Sequence, residues 1–277
     1  MLGGQQSGEL DVAAQAVSPE LDDQEGVGLV ERHRAQRAEP HVVIDLRTGE
    51  PLVEIRPAEI HDELPMVGAE ARLLSAPQWM LAVKRLIDIS VGLAALVILS
   101  PVFVLAAVAV KLSSPGPIFY VSDRVGRRGI TFKFIKFRSM MVEADYEKPQ
   151  LLELNELDGP VFKIRSDPRI TPVGRVLRKF SVDELPQLVH VLAGDMSLVG
   201  PRPPLPEETD RYTDRQWQRL LVKPGITCTW QVSGRSEIDF ATWVRMDLDY
   251  IERWSLLRDL KLMVLTIPAV LSGRGAY

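Results

Sequence analysis

From Ile89 to Val110 about 22 consecutive residues carry no charge. At about 1.5 Å per residue such a helix is roughly 33 Å long, enough to cross the hydrocarbon core of a bilayer. Length and purity of this kind are rare in the core helices of water-soluble domains. The run is interrupted near its middle by Ser100-Pro101. A proline there removes one backbone hydrogen bond, and the preceding serine hydroxyl can satisfy the carbonyl that is freed. Lys84 and Arg85 precede the run, and Lys111, Arg124, Arg127 and Arg128 follow it. Lysine and arginine favour the cytoplasmic side. Two architectures remain open on these residues. One is a kinked span. The other is a helix-break-helix hairpin over 89–110, with Ser100 and Pro101 at its break, whose halves of about 11 residues would each reach roughly half the core thickness. Asp88, three residues after Arg85, is expected to pair with it or to stand solvated at the interface.

Charge divides the chain. Residues 1–80 hold 15 acids and 6 bases, whereas the remainder holds 22 acids and 27 bases. An acidic leader thus precedes a basic body suited to polyanionic partners. Residues 1–40, rich in Gly, Gln, Glu, Asp and Ala, read as mostly disordered. Residues 41–56 read as a small hairpin that needs a partner surface. The start lacks the positive region and apolar core of a signal peptide. Hydrophobic residues at 46% and charged residues at 25% exclude a wholly disordered or collagen-like chain. Cys228 is the single cysteine, which excludes an internal disulfide, and no Cys/His spacing offers a structural zinc site. Nothing points to nucleic acid.

In the basic body, Ile118–Val121 and Thr131–Phe137 read as strands around the loop Gly126–Gly129. Lys133, Lys136 and Arg138 on the second strand suit a headgroup layer, a phosphate site or an ordinary solvated face. Thr171-Pro172 starts a helix, with threonine as cap and proline in the first turn, carrying Arg175, Arg178 and Lys179. A second helix is expected from Ser181, with Leu185, Leu188, Val189 and Leu192 as its apolar stripe and Gly194 as its stop. Ser181 with Glu184 fits a capping box. Asp183 is less well explained by capping. Adjacent carboxylates after an arginine-rich helix suit magnesium and phosphate, and a carboxylate can itself attack phosphorus. Gly200-Pro201-Arg202-Pro203-Pro204 holds a guanidinium between prolines, apt for a diphosphate or a base edge. Lys223–Thr227 and Ser233–Ser236 are further basic glycine turns. Phe240 to Leu271 reads as helix, capped by Asp239, and its end from Leu260 suits either an interface or a core.

These runs carry a family likeness. KRLIDISVGLAALVILSPV, FKFIKFRSM, SDPRITPVGRVLRKFSVDELPQL, GDMSLVGPRP, KPGIT, QVSGR and the terminal GAY occur in order. Residues 82–277 resemble the bacterial sugar transferases, monotopic phosphoglycosyl transferases acting on polyprenyl phosphate. The resemblance implies a small membrane-associated α/β fold with a re-entrant helix-break-helix and amphipathic interfacial helices. It implies transfer of a sugar-1-phosphate from a UDP-sugar to undecaprenyl phosphate on the inner leaflet of the bacterial cell membrane, from its cytoplasmic face, with release of UMP. In that reading Asp183 is the nucleophile, Glu184 helps Asp183 hold Mg²⁺, Arg178 serves the dyad and Arg202 lies near the nucleotide. Lys136, Arg235 and Arg85 complete the expected substrate-binding set, and a homodimer is an admissible assembly.

The chain departs from the family pattern at Cys228-Thr229, where Gly-Leu is frequent, at His190 for Asn and at Phe180 for Thr. The loop at Cys228 bears on sugar identity. Longer members carry a transmembrane bundle and a nucleotide-fold-like domain where this chain has its leader. Two other readings fit parts of the pattern: a membrane-anchored lipid-binding module without catalysis, and a soluble Mg-dependent phosphohydrolase.

Overall fold

Helix α1 runs over Gln78–Ile98 and begins eleven residues before the uncharged run, because Lys84, Arg85 and Asp88 lie inside it. In the computed structural model, which describes residues 41–44, 51–55 and 71–276, α1 ends at Leu99 and α2 follows over Ser100–Ser113. The two helices meet at a bend of 60°. Pro101 has no N–H to offer the carbonyl of Val97 four residues back, and Ser100 Oγ donates to that same oxygen at 2.8 Å. The break is therefore where the sequence puts it. The limbs, however, have 21 and 14 residues, longer than two halves of eleven, and the turn is more open than a hairpin. No single helix among the described residues is long and apolar enough to cross a membrane, whereas the bent pair taken together has that length and composition.

The charged residues of α1 seat it on the body. Lys84 Nζ contacts Asp259 at 2.6 Å and the carbonyl of Val199 at 3.1 Å. Asp259 also accepts from Tyr250 Oη at 2.7 Å and from Trp254 Nε1 at 3.1 Å. Arg85 donates to the carbonyls of Val191 and Leu192, and Asp88 accepts from Ser197 Oγ and the Leu198 amide. The expected Arg85–Asp88 contact does not form. Each finds a partner more than a hundred residues away, in a buried setting where an unsatisfied charge is costly. Gly92 of α1 faces Val191 and Leu192, where even a Cβ would be in ordinary contact at 3.5–3.6 Å.

The fold is mixed helix and sheet, and the described residues form three two-stranded sheets. β1 (His41–Ile44) and β2 (Pro51–Ile55) pair antiparallel. The expected disorder of residues 1–40 falls outside the described residues. β3 (Phe119–Val125) and β4 (Thr131–Phe137) pair antiparallel in one unbroken register. Next come α3 (Pro172–Lys179), a 3₁₀ turn at Val182–Gln187 and α4 (Leu188–Ala193). β5 (Ser197–Val199) pairs parallel with β6 (Gly225–Thr227). α5 (Phe240–Glu252) and α6 (Leu256–Ser272) close the chain.

One long C-terminal helix was expected. It is instead two, because the chain breaks after Glu252 and Ser255 Oγ caps the second by accepting from the Arg258 amide. The main core gathers Val191, Met196, Ile238, Ile251 and Trp254 around the stacked rings of Trp230 and Trp243, 4.1 Å apart. A smaller cluster of Ala106, Val110, Phe137 and Leu177 docks α2 on β4 and α3. Leu257, Leu260, Val264, Ile267 and Leu271, spaced by threes and fours, form an exposed apolar stripe along α6, while Asp259 and Leu262 face inward.

Candidate active site

The α3 cap is the one read from sequence: Thr171 Oγ1 accepts from the Gly174 amide at 2.9 Å. Gly174 is required by packing, since a Cβ there would lie 1.9 Å from the Ser139 carbonyl oxygen. This close approach brings Arg178 to the end of β4, where its Nε donates to Ser139 Oγ at 2.9 Å. After α3 the chain turns at Ser181, whose φ of 52° is left-handed and strained for a residue with a side chain. Ser181 makes no side-chain cap, so the expected capping box is absent, and its hydroxyl instead accepts from Arg235. A 3₁₀ turn replaces the first turn of the expected helix. This rotates the apolar pattern: Val189 is exposed, while Leu188 and Val191 are buried.

The turn presents Asp183 and Glu184 to a cleft of about 420 Å³ whose walls include Arg124, Lys136, Lys163, Arg178, Arg202 and Arg235. Asp183 is only 7% exposed, and its carboxylate accepts no hydrogen bond among the described residues. Burial first, and then the charge of Glu184, raise its pKa above the usual carboxylate range. Glu184 behaves differently. Burial works against its charge, yet the adjoining Arg202 draws its pKa below the ordinary value. Arg202 Nη1 bonds Glu184 Oε1 at 2.6 Å. Two neighbours with opposite shifts thus stand side by side, one carboxylate paired and one available.

The loop bearing Arg202 is fixed along its length. Gly200 and Gly225 pack backbone to backbone, where a Cβ on Gly225 would lie 2.1 Å from the Gly200 nitrogen. Arg124 Nη1 donates to the Pro203 carbonyl at 3.0 Å, and Arg219 Nη2 to the Arg202 carbonyl at 3.4 Å. Arg219 is itself held by buried Asp247 at 2.7 Å.

A family model described as bacterial sugar transferase matches residues 79–273. The chain belongs to the bacterial sugar transferase family. It is 46% identical over 197 residues to the galactosyl transferase CpsE of Streptococcus agalactiae serotype III, covering 71% of this chain and 44% of that protein. It is 44% identical over 198 residues to the exopolysaccharide production protein ExoY of Sinorhizobium fredii, covering 70% and 88%. A third relative, of Caulobacter vibrioides, is named UDP-glucose:undecaprenyl-phosphate glucose-1-phosphate transferase. It is 36% identical over 242 residues, covering 84% and 81%. The chain therefore spans less than half of CpsE and most of the other two. The last match is longer than the family domain and includes part of the stretch ahead of residue 79. As a family member the protein is a transferase enzyme.

Within this transferase, Asp183, Glu184, Arg178, Arg202, Lys136 and Arg235 share one cleft. Arg85 does not line it, and its guanidinium instead caps the C-terminal carbonyls of α4. His190 is a support for β4: its Nε2 accepts from the Ile135 amide at 3.1 Å, beside Lys136. Cys228 is buried, with Sγ 3.1 Å from Oε1 of Gln231, a residue of the cleft wall. Sequence reasoning missed several charged cleft residues, among them Arg124 and Lys163. Arg124 reads as a flanking charge of the apolar run, and Lys163 lies in a stretch without periodicity. Gly275 and Ala276 return to line the cleft.

Among the described residues no group of three or more His, Cys, Asp and Glu side chains could hold a metal ion. The dyad does fit Mg²⁺ shared with a substrate, because that ion takes one or two carboxylates and completes its shell with phosphate oxygens and water.

The surplus of cations has a measurable cost. Burial first, with Arg178 and Arg124, lowers the Lys136 amine to about 7. Burial and Arg202 lower Lys163 likewise to about 7. Unfolded lysines hold their protons up to about pH 10.4. Between these values the unfolded chain binds more protons than the folded one, so stability rises with pH. Without substrate or divalent ion, the thermal midpoint should climb from about pH 6.5 to about pH 9, and Lys136→Met should flatten part of that climb. A midpoint that falls across this window would show that these amines keep their charge.

Proposed function

We propose that this enzyme transfers a sugar-1-phosphate from a UDP-sugar to undecaprenyl phosphate through a covalent aspartyl phosphosugar. The observation that carries the reading is the contrast within the dyad. Asp183 is a buried carboxylate free of hydrogen bonds beside Arg178 and Lys136, whereas Glu184 is tied to Arg202. An Asp183 oxygen attacks the sugar-bearing phosphorus. The bond from that phosphorus to the bridging oxygen breaks, and UMP leaves with the electron pair. The phosphate oxygen of undecaprenyl phosphate then attacks the same phosphorus and displaces Asp183, which returns as carboxylate. The cleft cations bind and orient the diphosphate and oppose the charge that moves to UMP. Asp183 and Glu184 would hold Mg²⁺, which would neutralise phosphate charge when bound. The relatives' names supply donor and acceptor classes, so UDP-glucose and UDP-galactose are the first donors to test.

Asp183→Asn keeps the shape and removes the attacking charge. UMP release from the donor with undecaprenyl phosphate present should fall below about one hundredth of the parent rate, about 2.7 kcal/mol or more. Retention of a larger fraction in a folded variant would dismiss Asp183 as nucleophile.

The same proposal places the chain on the cytoplasmic face of the bacterial membrane. Both limbs of the bent pair are fastened to one polar body: α1 through Lys84, Arg85 and Asp88, and α2 through Ala106 and Val110. A span would require the ends to lie on opposite sides. Fastening both to one body favours an elbow that enters and leaves by the same leaflet, with the apolar stripe of α6 lying in the interface. In intact cells, Ala82→Cys and Ser114→Cys, each in a Cys228→Ser background, should both resist a membrane-impermeant thiol reagent and both react after lysis. Labelling of only one before lysis would establish a span.

A further inference from the structure

Helix α6 meets two environments at once. Leu257, Leu260, Val264, Ile267 and Leu271 form its exposed apolar stripe. Thr266, Ala269 and Val270, one helical turn of neighbours, line the cleft that holds the dyad. The two faces adjoin, because Ile267 follows Thr266 and Leu271 follows Val270, a step of about 100° around the helix. The cleft-lining face bears no charge, and its one hydroxyl is spent inside the protein. Thr266 Oγ1 donates to the Leu262 carbonyl at 2.7 Å and lies 2.7 Å from Thr227 Oγ1. Thus α6 adds an uncharged wall to a cleft otherwise rich in arginine and lysine. That wall ends at a rim. Gly273 stops α6 in a left-handed turn at φ +61°, and a Cβ there would lie 2.8 Å from Lys179 Cγ at the end of α3. This contact brings the ends of α3 and α6 together. On the α3 side stands Phe180, exposed yet also part of the cleft wall, with Lys179 Nζ 5.6 Å from its ring centre. Val176, one turn earlier, is exposed as well. Apolar surface therefore continues from the cleft, over Phe180 and Val270, onto the exposed faces of both helices.

We propose that the isoprenoid chain of the acceptor leaves the cleft along this surface, with Ala269 and Val270 meeting its first isoprene units and Phe180 forming the rim they cross. The assignment rests on the function proposed above and deepens its second step. The reason is covalent. In a polyprenyl phosphate the first isoprene unit is joined directly to the phosphate, so the chain begins inside the cleft whenever that phosphate reaches the phosphorus held by Asp183. Isoprene offers no partner to arginine or lysine, and laying it against the charged walls would strip those groups of water without compensation. Against the uncharged wall of α6 the same burial is favourable. The stripe beyond leads the rest of the chain into apolar surroundings. A UDP-sugar has no such chain, so this wall should matter to the acceptor and not to the donor.

The test uses the full-length protein in detergent, with undecaprenyl phosphate and whichever of UDP-glucose and UDP-galactose the parent turns over. Ala269→Gln and Val270→Gln keep a good helix former and set a polar amide on the wall. Each should raise the KM for undecaprenyl phosphate by about tenfold or more, while the burst of UMP released without acceptor stays within about twofold. Val270→Ile, which keeps the wall apolar, should match the parent in both. Both glutamine variants should bind vesicles of phosphatidylethanolamine and phosphatidylglycerol as the parent does, since neither residue belongs to the exposed stripe. An unchanged KM, an equal loss of burst and acceptor step, or a loss of vesicle binding in step with the rise in KM would overturn the assignment. A parent enzyme that turns over with no burst would instead overturn the covalent reading, and the acceptor KM would still decide the route.

Discussion

The charged footing of α1 is the contact on which the remaining architecture depends. An apolar, bent helix pair would be only a tether if it were joined to the body by the chain alone. Lys84, Arg85 and Asp88 make it part of the body, through Asp259, two α4 carbonyls and the edge of β5. Removing one partner of a buried charge typically costs about 3–5 kcal/mol, a large part of a domain's stability. The consequence reaches the chemistry, because β5 runs directly into the Gly200–Pro204 loop, whose Arg202 grips Glu184. One continuous set of contacts therefore joins the bent helix pair to the dyad. This fits a reaction whose acceptor carries its phosphate on a lipid.

The cleft trades stability for readiness. Ser181 is held left-handed just ahead of the dyad, Asp183 is buried without a hydrogen bond, and eight basic side chains line the cleft against four carboxylates. Each feature is unfavourable in an empty protein. In the proposed reaction an entering diphosphate would offset these costs, because it would match the surplus positive charge and set its phosphorus before Asp183. Arg202 favours the charged form of Glu184, whereas the Asp183 carboxylate accepts no hydrogen bond among the described residues.

What was legible from sequence follows what is local. The β3–β4 hairpin, the Thr171 cap, the Gly194 stop and the break at Ser100-Pro101 depend on neighbours a few residues apart, and they form where the pattern puts them. The acid pair was visible as a pair, and the family likeness assigned its chemistry. Residues that answer to distant partners misled. Arg85 and Asp88, one turn apart, read as a pair, but their ligands sit on α4 and β5. The start of α1 at Gln78 was hidden by the very charges that anchor it. The capping box at Ser181 does not form, because Ser181 turns left-handed and its hydroxyl accepts from Arg235, a residue distant in sequence. Lys163 offered no signal, since an irregular loop pinned by one asparagine has no period to detect.

The covalent step is tested most directly by mass spectrometry of the intact enzyme and its peptides after incubation with UDP-sugar, without undecaprenyl phosphate. A covalent mechanism predicts a phosphosugar adduct confined to Asp183 that disappears when undecaprenyl phosphate is added. An adduct on another residue, or an active enzyme that never carries one, would contradict it.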